Sequence, residues 1–307
     1  MRRVKFRPAV FVVLFGTFTV SAWARDASIT IEAGGRQREY LLHLPAASKD
    51  RPIPLLLVFH GGGSCAKTMP RFTGLDQLAD HEGIAVAYLQ GIDRHWNDGR
   101  VTTRRPDVDD VAFAARVIED VGARVPLDSR RIGATGISNG AMFVERLGCE
   151  LSDRVTAIAA VAGSMAADLR GTCRPARRVA VLQINGTDDP IVPYRGGAVK
   201  SFGGRGPGGL VLSVTDTMAF WSAVDGCKAM GKEIQLQPRA VFDRTRVVFR
   251  RAQGCSATVE QYRIDGGGHT WPGGPQYLPR FVVGVASRQL DASRTIVRFV
   301  LDHPRER

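Results

Sequence analysis

Short apolar segments alternate with helical patterns along this chain, and the alternation narrows the possible folds more than any other feature. The segments that are apolar almost throughout are Pro54–Phe59, Ile84–Leu89, Ala157–Val161 and Val179–Ile184. Runs of this kind are typical of strands that are buried on both faces of a sheet. Helical spacing of apolar residues lies between them, most clearly in Asp107–Val125. The pattern therefore predicts an α/β fold with a mostly parallel central sheet and helices on both faces.

The rest of the chain fits this architecture. Alternating residues predict exposed antiparallel strands at Ser28–Glu32 and Arg38–Leu44, ahead of the first apolar run. The other predicted elements are strands at Arg131–Ala134, Val247–Arg250 and Val259–Ile264, and helices at Ser138–Glu150, Thr215–Val224 and Ala292–Leu301. The stretch Gly196–Gly209 predicts a flexible loop that could border a functional site. No segment has the composition of a disordered linker, so residues 25–307 are expected to form a single domain.

The N-terminal segment has the layout of a secretory signal peptide. Four basic residues between Arg2 and Arg7 precede the apolar stretch Ala9–Val20, and Ala22–Ala24 has the form of a cleavage site. The apolar stretch is shorter than the roughly 20 residues that cross a bilayer. We therefore expect cleavage after Ala24, a secreted or periplasmic protein, and no membrane attachment of the mature chain.

Removal of that segment changes the meaning of the net charge. Of the formal charge of +12, four positive charges belong to residues 1–24, which leaves +8 on the mature chain. The remaining charge is mostly scattered arginine without interleaved aromatic residues, so no nucleic-acid partner is expected.

An oxidising compartment would allow the five cysteines to form disulfides. None belongs to a CxxC pair and no histidines cluster with them, so neither a zinc site nor another metal or cofactor is expected. Connectivity does not follow from sequence. Local spacing favours Cys149–Cys173 and Cys227–Cys255, with Cys65 left free.

A G-x-S-x-G motif carries the first chemical signal. Gly136–Gly140 reads GISNG and lies between the strand predicted at Arg131–Ala134 and a helix. A serine on such a turn exposes its hydroxyl at the edge of the sheet, as a nucleophile requires. The alternative is a serine that only caps its own helix.

A second motif is the glycine run that follows the first apolar strand. His60–Gly63 reads HGGG, and a loop of this type supplies one backbone N–H of an oxyanion hole. The second N–H would come from Asn139, the residue after Ser138. The alternatives are an ordinary glycine turn and a phosphate loop, and no GKS or GKT element supports the latter.

The base and the acid can be sought among the residues that follow the serine. Only His269 and His303 follow Ser138, and His303 lies beside a proline at the C-terminus. His269 follows a predicted strand, so its loop can present an imidazole at the carboxyl edge of the sheet. The acid is expected after Val179–Ile184, where Asp188 and Asp189 compete. Spacing does not choose between them, and the other aspartate is expected to hydrogen-bond loop backbone.

Together these motifs resemble the polyhydroxybutyrate depolymerase/feruloyl esterase-like branch of secreted α/β-hydrolases. The matching stretches are LLLVFHGGG, WNDGR, GISNGAMF, AAVAGSM, GTDDPIVPY, FWSAVDGC and GGGHTWPGG, and the resemblance spans about residues 38 to 300. It implies an α/β-hydrolase fold, with Ser138 as nucleophile, His269 as base and Asp189 as acid. It also implies an oxyanion hole near Gly62 and at Asn139, and it is consistent with the two disulfides.

One position departs from the family, which usually has His-Gly where this chain has Asn185-Gly186. Because this position is not a triad member, we expect catalysis to survive and the loop before the acid to be held differently.

The expected activity is that of a secreted serine esterase that acts on a small or oligomeric ester without a cofactor. The resemblance leaves hydroxyalkanoate oligomers or polyesters, feruloyl esters and acetyl esters open. The alternatives are a binding module on a hydrolase scaffold and a serine peptidase or acyltransferase. Trp96 and Trp271 are candidates for stacking on the acyl group, or else packing anchors. Asp109 and Asp110 are expected to cap a helix. The sequence predicts no oligomeric state.

Overall fold

The computed structural model describes residues 26–45, 51–102, 105–200 and 208–305. The predicted signal peptide lies outside the described residues. Thirteen strands occur in the described part of the chain: β1 Asp26–Ala33, β2 Arg36–His43, β3 Ile53–Phe59, β4 Ala85–Leu89, β5 Leu127–Ile137, β6 Ala157–Val161, β7 Ala180–Gly186, β8 Gly197–Ala198, β9 Leu210–Val211, β10 Ala229–Met230, β11 Ile234–Gln235, β12 Arg246–Gln253 and β13 Val259–Asp265.

Eleven of these strands form one sheet in the order β1-β2-β4-β3-β5-β6-β7-β13-β12-β10, with β11 paired to β12. The six central strands of the sheet pair in parallel, in the order β4-β3-β5-β6-β7-β13. The strands β1 and β2 on one side, and the strands beyond β13 on the other, pair antiparallel. The prediction of a mostly parallel central sheet is confirmed.

Helices cover both faces of this sheet. They are α1 Met69–Thr73, α2 Leu75–Glu82, α3 Asp110–Arg124, α4 Asn139–Glu150, α5 Val214–Val224, α6 Arg280–Val283 and α7 Ala292–Asp302. The alternate side chains of β3 belong to two different apolar clusters, Leu55 and Leu57 to one and Leu56 and Val58 to the other. The first cluster also contains side chains of α3, α4 and α5, and the second contains those of α2 and α7. Burial on both faces explains why this strand is apolar throughout.

The structure contains elements that the sequence did not predict. Helices α1 and α2 follow the HGGG loop and are separated by Gly74, with φ of +68°; a second left-handed glycine, Gly83, ends α2. Both helices are too short for a clear helical period. Near the start of the Gly196–Gly209 stretch, β8 pairs with β9, which follows the stretch directly, and the two form a two-stranded ribbon. Residues 201–207, which make up half of the predicted flexible loop, lie outside the described residues.

Two disulfides join Cys149 to Cys173 and Cys227 to Cys255, and Cys65 is free and half-buried. This is the pairing that local spacing favours. The bonds close loops with sequence separations of 24 and 28 residues, for which the chain-entropy model gives roughly 3–4 kcal/mol each. Among the described residues, no helix has the length and apolar character needed to cross a membrane.

Candidate active site

Ser138 lies on a strained turn between β5 and α4. Its φ is +59° and its ψ is −122°, a conformation that L-residues rarely adopt. The turn is closed by tight packing at Gly140, where an added Cβ would lie 2.6 Å from the carbonyl oxygen of His60. The Ser138 hydroxyl makes no capping hydrogen bond to α4. The helix-cap alternative therefore does not describe this serine, and its hydroxyl is available for chemistry.

Ser138 and His269 both line a cavity of about 490 Å³ at the carboxyl edge of the sheet. The loop Gly61–Ser64 forms one wall. No hydrogen bond between the Ser138 hydroxyl and the imidazole is recorded in the described part of the chain, and such contacts often tighten only when substrate is bound.

His269 is oriented by a buried carboxylate. Its Nδ1 lies 2.7 Å from Oδ2 of Asp189, and the two side chains are only 4% and 3% exposed. The other oxygen, Oδ1 of Asp189, accepts the backbone N–H groups of Ile191 and Val192, both at 2.8 Å. These donors fix the carboxylate with one oxygen aimed at the imidazole. The backbone of His269 is held as well, because its N–H donates to the carbonyl of Val283 at 2.6 Å.

The geometry separates the two adjacent aspartates. The carboxylate of Asp188 accepts the hydroxyl of its neighbour Thr187 at 2.9 Å, so Asp189, not Asp188, lies beside the imidazole. The prediction that the second aspartate hydrogen-bonds loop backbone is wrong: Asp189 makes those bonds and meets His269 at the same time. His303 ends α7, where its Nδ1 contacts the carbonyl of Phe299.

The loop after β3 brings Gly62 against the start of α4. A Cβ built on Gly62 would lie 3.6 Å from Cβ of Asn139, so the two backbone segments are adjacent. Neither amide N–H donates to an acceptor within the described ranges. Two free donors beside Ser138 are the arrangement that an oxyanion hole needs.

His60 holds the base of this loop. Its side chain is fully buried, and burial lowers the pKa of its imidazole to about 4. The ring is therefore neutral at ordinary pH. Its Nδ1 donates to the carbonyl of Gly61 at 2.9 Å, and its Nε2 accepts the N–H of Gly91 at 3.0 Å. The sequence motifs predict no separate role for this histidine.

Both tryptophans are packing residues, and the prediction that they stack on a substrate is wrong. Trp96 and Trp271 are each 1% exposed and neither lines the cavity. Trp96 stacks on Phe143 with ring centroids 5.4 Å apart, and its indole N–H donates to the carbonyl of His60. The indole N–H of Trp271 donates to the hydroxyl of Ser293 at 2.9 Å. Their large apolar surfaces are used to fix loops.

The aromatic residues that do line the cavity are Phe72 and Tyr277, neither of which belongs to a motif of the sequence. Their rings meet edge to face with centroids 5.6 Å apart. The other apolar lining residues are Met69, Ile137 and Leu278. The Tyr277 hydroxyl donates to the carbonyl of His269 at 3.0 Å, so this ring both lines the cavity and supports the loop that carries His269.

The remaining predicted positions lie around the site. Asp109 caps α3 by accepting the N–H of Ala112, as expected, but Asp110 instead forms a buried ion pair with Arg38 at 2.7 Å. Asn185, where the resemblance leads one to expect histidine, is buried at the end of β7. Its side-chain amide donates to the carbonyl of Gly163 at 2.8 Å.

Comparison with known proteins places these features in a wider context. No protein-family model matches the chain. The chain is 33% identical over 291 residues to the protein named "Putative esterase NocK" of Nocardia uniformis subsp. tsuyamanensis, a match that covers 90% of this chain and 83% of the relative. It is 28% identical over 203 residues to feruloyl esterase B of Piromyces equi, which covers 64% of this chain and 37% of that protein. The chain thus spans little more than a third of the second relative.

Solved structures share the fold at low sequence identity. Acetyl xylan esterase from Aspergillus awamori superposes with a TM-score of 0.58 at 13% identity, over 80% of this chain and 94% of that one. A thermostable esterase superposes with a TM-score of 0.52 at 13% identity, over 92% and 64% of the two chains. Together with the sheet order, these similarities identify the fold as that of an α/β-hydrolase.

Proposed function

The chain belongs to the esterase family of α/β-hydrolases, and from this premise we propose that it is a secreted serine esterase whose triad is Ser138, His269 and Asp189. In this proposal, residues 1–24 are a cleaved signal peptide and residues 25–307 are a single catalytic domain. The observation that carries the triad is the buried His269–Asp189 pair in the wall of a cavity that Ser138 also lines. The strained conformation of Ser138 is a further support, because such strain concentrates at functional turns.

Each step of the reaction has a group to perform it. His269 takes the proton of the Ser138 hydroxyl on Nε2 while Asp189 accepts the hydrogen bond from Nδ1–H, and Oγ attacks the ester carbonyl. The N–H groups of Gly62 and Asn139 stabilise the negative oxygen of the tetrahedral intermediate. The alcohol leaves with the proton from His269, and an acyl-enzyme remains. Water then gives a proton to His269 and attacks the acyl group. The bond between the acyl carbon and Oγ breaks, Oγ of Ser138 takes the proton back from His269, and the acid is released.

The cavity suggests the kind of acyl group. Its walls are mainly apolar, and the edge-to-face pair of Phe72 and Tyr277 offers an aromatic surface near the nucleophile. We infer that the substrate is a small or oligomeric ester with an apolar or aromatic acyl part, which includes feruloyl, acetyl and hydroxyalkanoate esters. The names of the relatives, which include feruloyl esterases, support the first of these.

The proposal is tested with Ser138→Ala on p-nitrophenyl acetate and p-nitrophenyl butyrate. We expect hydrolysis to fall by at least about 10³-fold, since the nucleophile is lost while the oxyanion donors remain. Ser28→Ala, on the exposed edge strand β1, is the control and should match the wild type. Undiminished hydrolysis by Ser138→Ala would overturn the assignment. A folded wild type that hydrolyses no ester would favour the binding-module alternative.

A further inference from the structure

The side chain of Asn139 makes contacts that its proposed role does not require. As the residue after Ser138 it would contribute only its backbone N–H to the reaction. Its side-chain oxygen nevertheless accepts the N–H of Trp96 at 2.8 Å, and its Nδ2 donates to the carbonyl of Trp96 at 3.1 Å. The same Nδ2 donates to Oδ2 of Asp98 at 2.6 Å. The start of α4 is thereby tied to a separate loop, residues 96–98.

Asp98 ends this chain of contacts in a buried ion pair. It is fully buried, and Arg100 is 3% exposed. Nε of Arg100 lies 3.0 Å from Oδ2 of Asp98 and Nη2 lies 2.7 Å from it, and the backbone N–H of Arg100 donates to Oδ1 at 3.1 Å. A buried carboxylate is costly unless it is paired and hydrogen-bonded. Here both conditions hold, and one of the hydrogen bonds comes from the residue after the nucleophile.

Arg100 extends the connection to the glycine-rich stretch. Its Nη1 donates to the carbonyl of Gly208, which lies just before β9. The guanidinium therefore holds the Asp98 carboxylate with two of its nitrogens and the backbone at Gly208 with the third. Asp98 and Arg100 belong to the WNDGR stretch, which contributes only to the family resemblance in the sequence, and none of its side chains takes part in the proposed reaction.

We propose that Asp98 and Arg100 are positioning residues that fix the direction of the Asn139 N–H toward the reacting oxygen. This inference rests on the proposed function, because it assigns a role only if the Asn139 N–H is an oxyanion donor. The physical reason is the strained turn: with φ of +59° at Ser138, the peptide unit between Ser138 and Asn139 would relax unless its ends are held. The Asn139 side chain holds one end, and Asp98 holds that side chain.

The inference predicts a specific kinetic signature. Asp98→Asn keeps the shape of the side chain but removes the negative charge that pairs with Arg100. It also replaces one of the two carboxylate oxygens, which accept from Arg100 and Asn139, with an NH2 group that cannot accept. We expect kcat for p-nitrophenyl acetate to fall roughly 10- to 100-fold, because small displacements of catalytic groups cost factors of this size. KM should change by less than about threefold, since the donor acts mainly in the transition state.

A matched control is available in Asp110→Asn. Asp110 is also a buried carboxylate, 1% exposed, and pairs with a buried arginine, Arg38. It accepts the N–H of Asn97 at 2.8 Å, so it holds the same loop without contacting Asn139. If Asp98 only stabilises the loop, the two variants should behave alike. If it positions the donor, only Asp98→Asn should lose kcat per active site.

The experiment measures kcat, KM and inhibition by butylboronic acid for both variants, with active sites counted by a fluorophosphonate label. The boronate forms a tetrahedral adduct with a nucleophilic serine and places an oxygen in the oxyanion hole. We expect its inhibition constant to rise for Asp98→Asn by the factor by which kcat/KM falls, and to stay within about twofold for Asp110→Asn. Arg100→Lys keeps the positive charge but loses the forked guanidinium that contacts Asp98 with two nitrogens. Its kcat and its inhibition constant should lie between those of the wild type and of Asp98→Asn.

Two results would overturn the inference: an Asp98→Asn enzyme with wild-type kcat, or equal losses of kcat in Asp98→Asn and Asp110→Asn. If Asp98→Asn does not fold, Arg100→Lys is judged by the same two criteria. Failure of the proposed function is distinguishable, because it appears as retained hydrolysis in Ser138→Ala. Loss of hydrolysis in that variant, combined with an unaffected Asp98→Asn enzyme, rejects only the positioning role.

Discussion

Replacement of Asp189 by asparagine is the most informative single change in the proposed triad. In the wild type Oδ1 accepts two backbone N–H groups, of Ile191 and Val192, and Oδ2 meets Nδ1 of His269. An asparagine amide has one oxygen and one NH2 group. Two donors already face the Oδ1 position, so the oxygen stays there and the NH2 group turns toward His269. Nδ1 must then accept, which leaves the imidazole proton on Nε2, where the base needs a lone pair.

The size of the effect follows from this wrong tautomer. The corresponding change in a well-studied serine protease triad lowers kcat about 10⁴-fold, which corresponds to roughly 5–6 kcal/mol in the activation free energy. Because the hydrogen bonds of Asp189 in this chain impose the same reversal, we expect a loss of that order. The assay is kcat/KM on p-nitrophenyl acetate with matched circular dichroism spectra. Asp188→Asn is the control, since its carboxylate contacts Thr187, and it should stay within about threefold of the wild type. A loss below tenfold for Asp189→Asn, or an equal loss for Asp188→Asn, would refute this reasoning.

Three further predictions concern stability. Gly140→Ala places a Cβ 2.6 Å from the carbonyl oxygen of His60 and should lower the free energy of unfolding in urea by about 1–3 kcal/mol; an unchanged midpoint would show that the turn can open. Burial raises the pKa of Glu145 from 4.5 to about 7, so its contribution to stability is complete below pH 4.5 and is lost as the pH rises through 7. The Tm of the wild type should therefore fall between pH 4.5 and 7, and the Tm of Glu145→Gln should fall less. Equal changes of Tm with pH in the two proteins would show that Glu145 is not the group responsible. Replacing Cys227 and Cys255 together by serine should cost roughly 3–4 kcal/mol of unfolding free energy, whereas reductant should leave the Tm of that double variant less affected than that of the wild type.

The parts of the site that the sequence predicted are those set by local patterns. Gly136–Gly140 is a contiguous motif whose conformation depends on close packing around its glycines, and the buried C-terminal half of β5 places it at the edge of the sheet. His269 could be identified as the candidate base because only two histidines follow Ser138 in the sequence. The loops after β7 and β13 lie together because these strands pair in parallel, with Gly186 opposite Ile264. Order along the chain therefore carries information on proximity for these residues.

The parts that were missed depend on tertiary contacts. Spacing left the choice between Asp188 and Asp189 open, and only the resemblance implied Asp189, because the choice depends on where the N–H groups of Ile191 and Val192 point. Trp96 and Trp271 have side chains of the type that stacks on aromatic substrates, but whether they are exposed depends on the segments that pack over them. Phe72 and Tyr277 lie on segments about 200 residues apart in the chain, and no local pattern links them. Helices α1 and α2 were not predicted because each is too short to show the helical period of apolar residues.

The central claim is that Ser138 forms the covalent intermediate, and the most direct measurement is to trap it. The mature protein is incubated with a fluorophosphonate, digested, and analysed by mass spectrometry to locate the modified residue. We predict stoichiometric modification of Ser138 in the GISNGAMF segment, with loss of esterase activity in proportion to labelling, and greatly slowed labelling in Asp189→Asn. Modification at another residue that accounts for the loss of activity, or full esterase activity after Ser138 is labelled, would contradict the account.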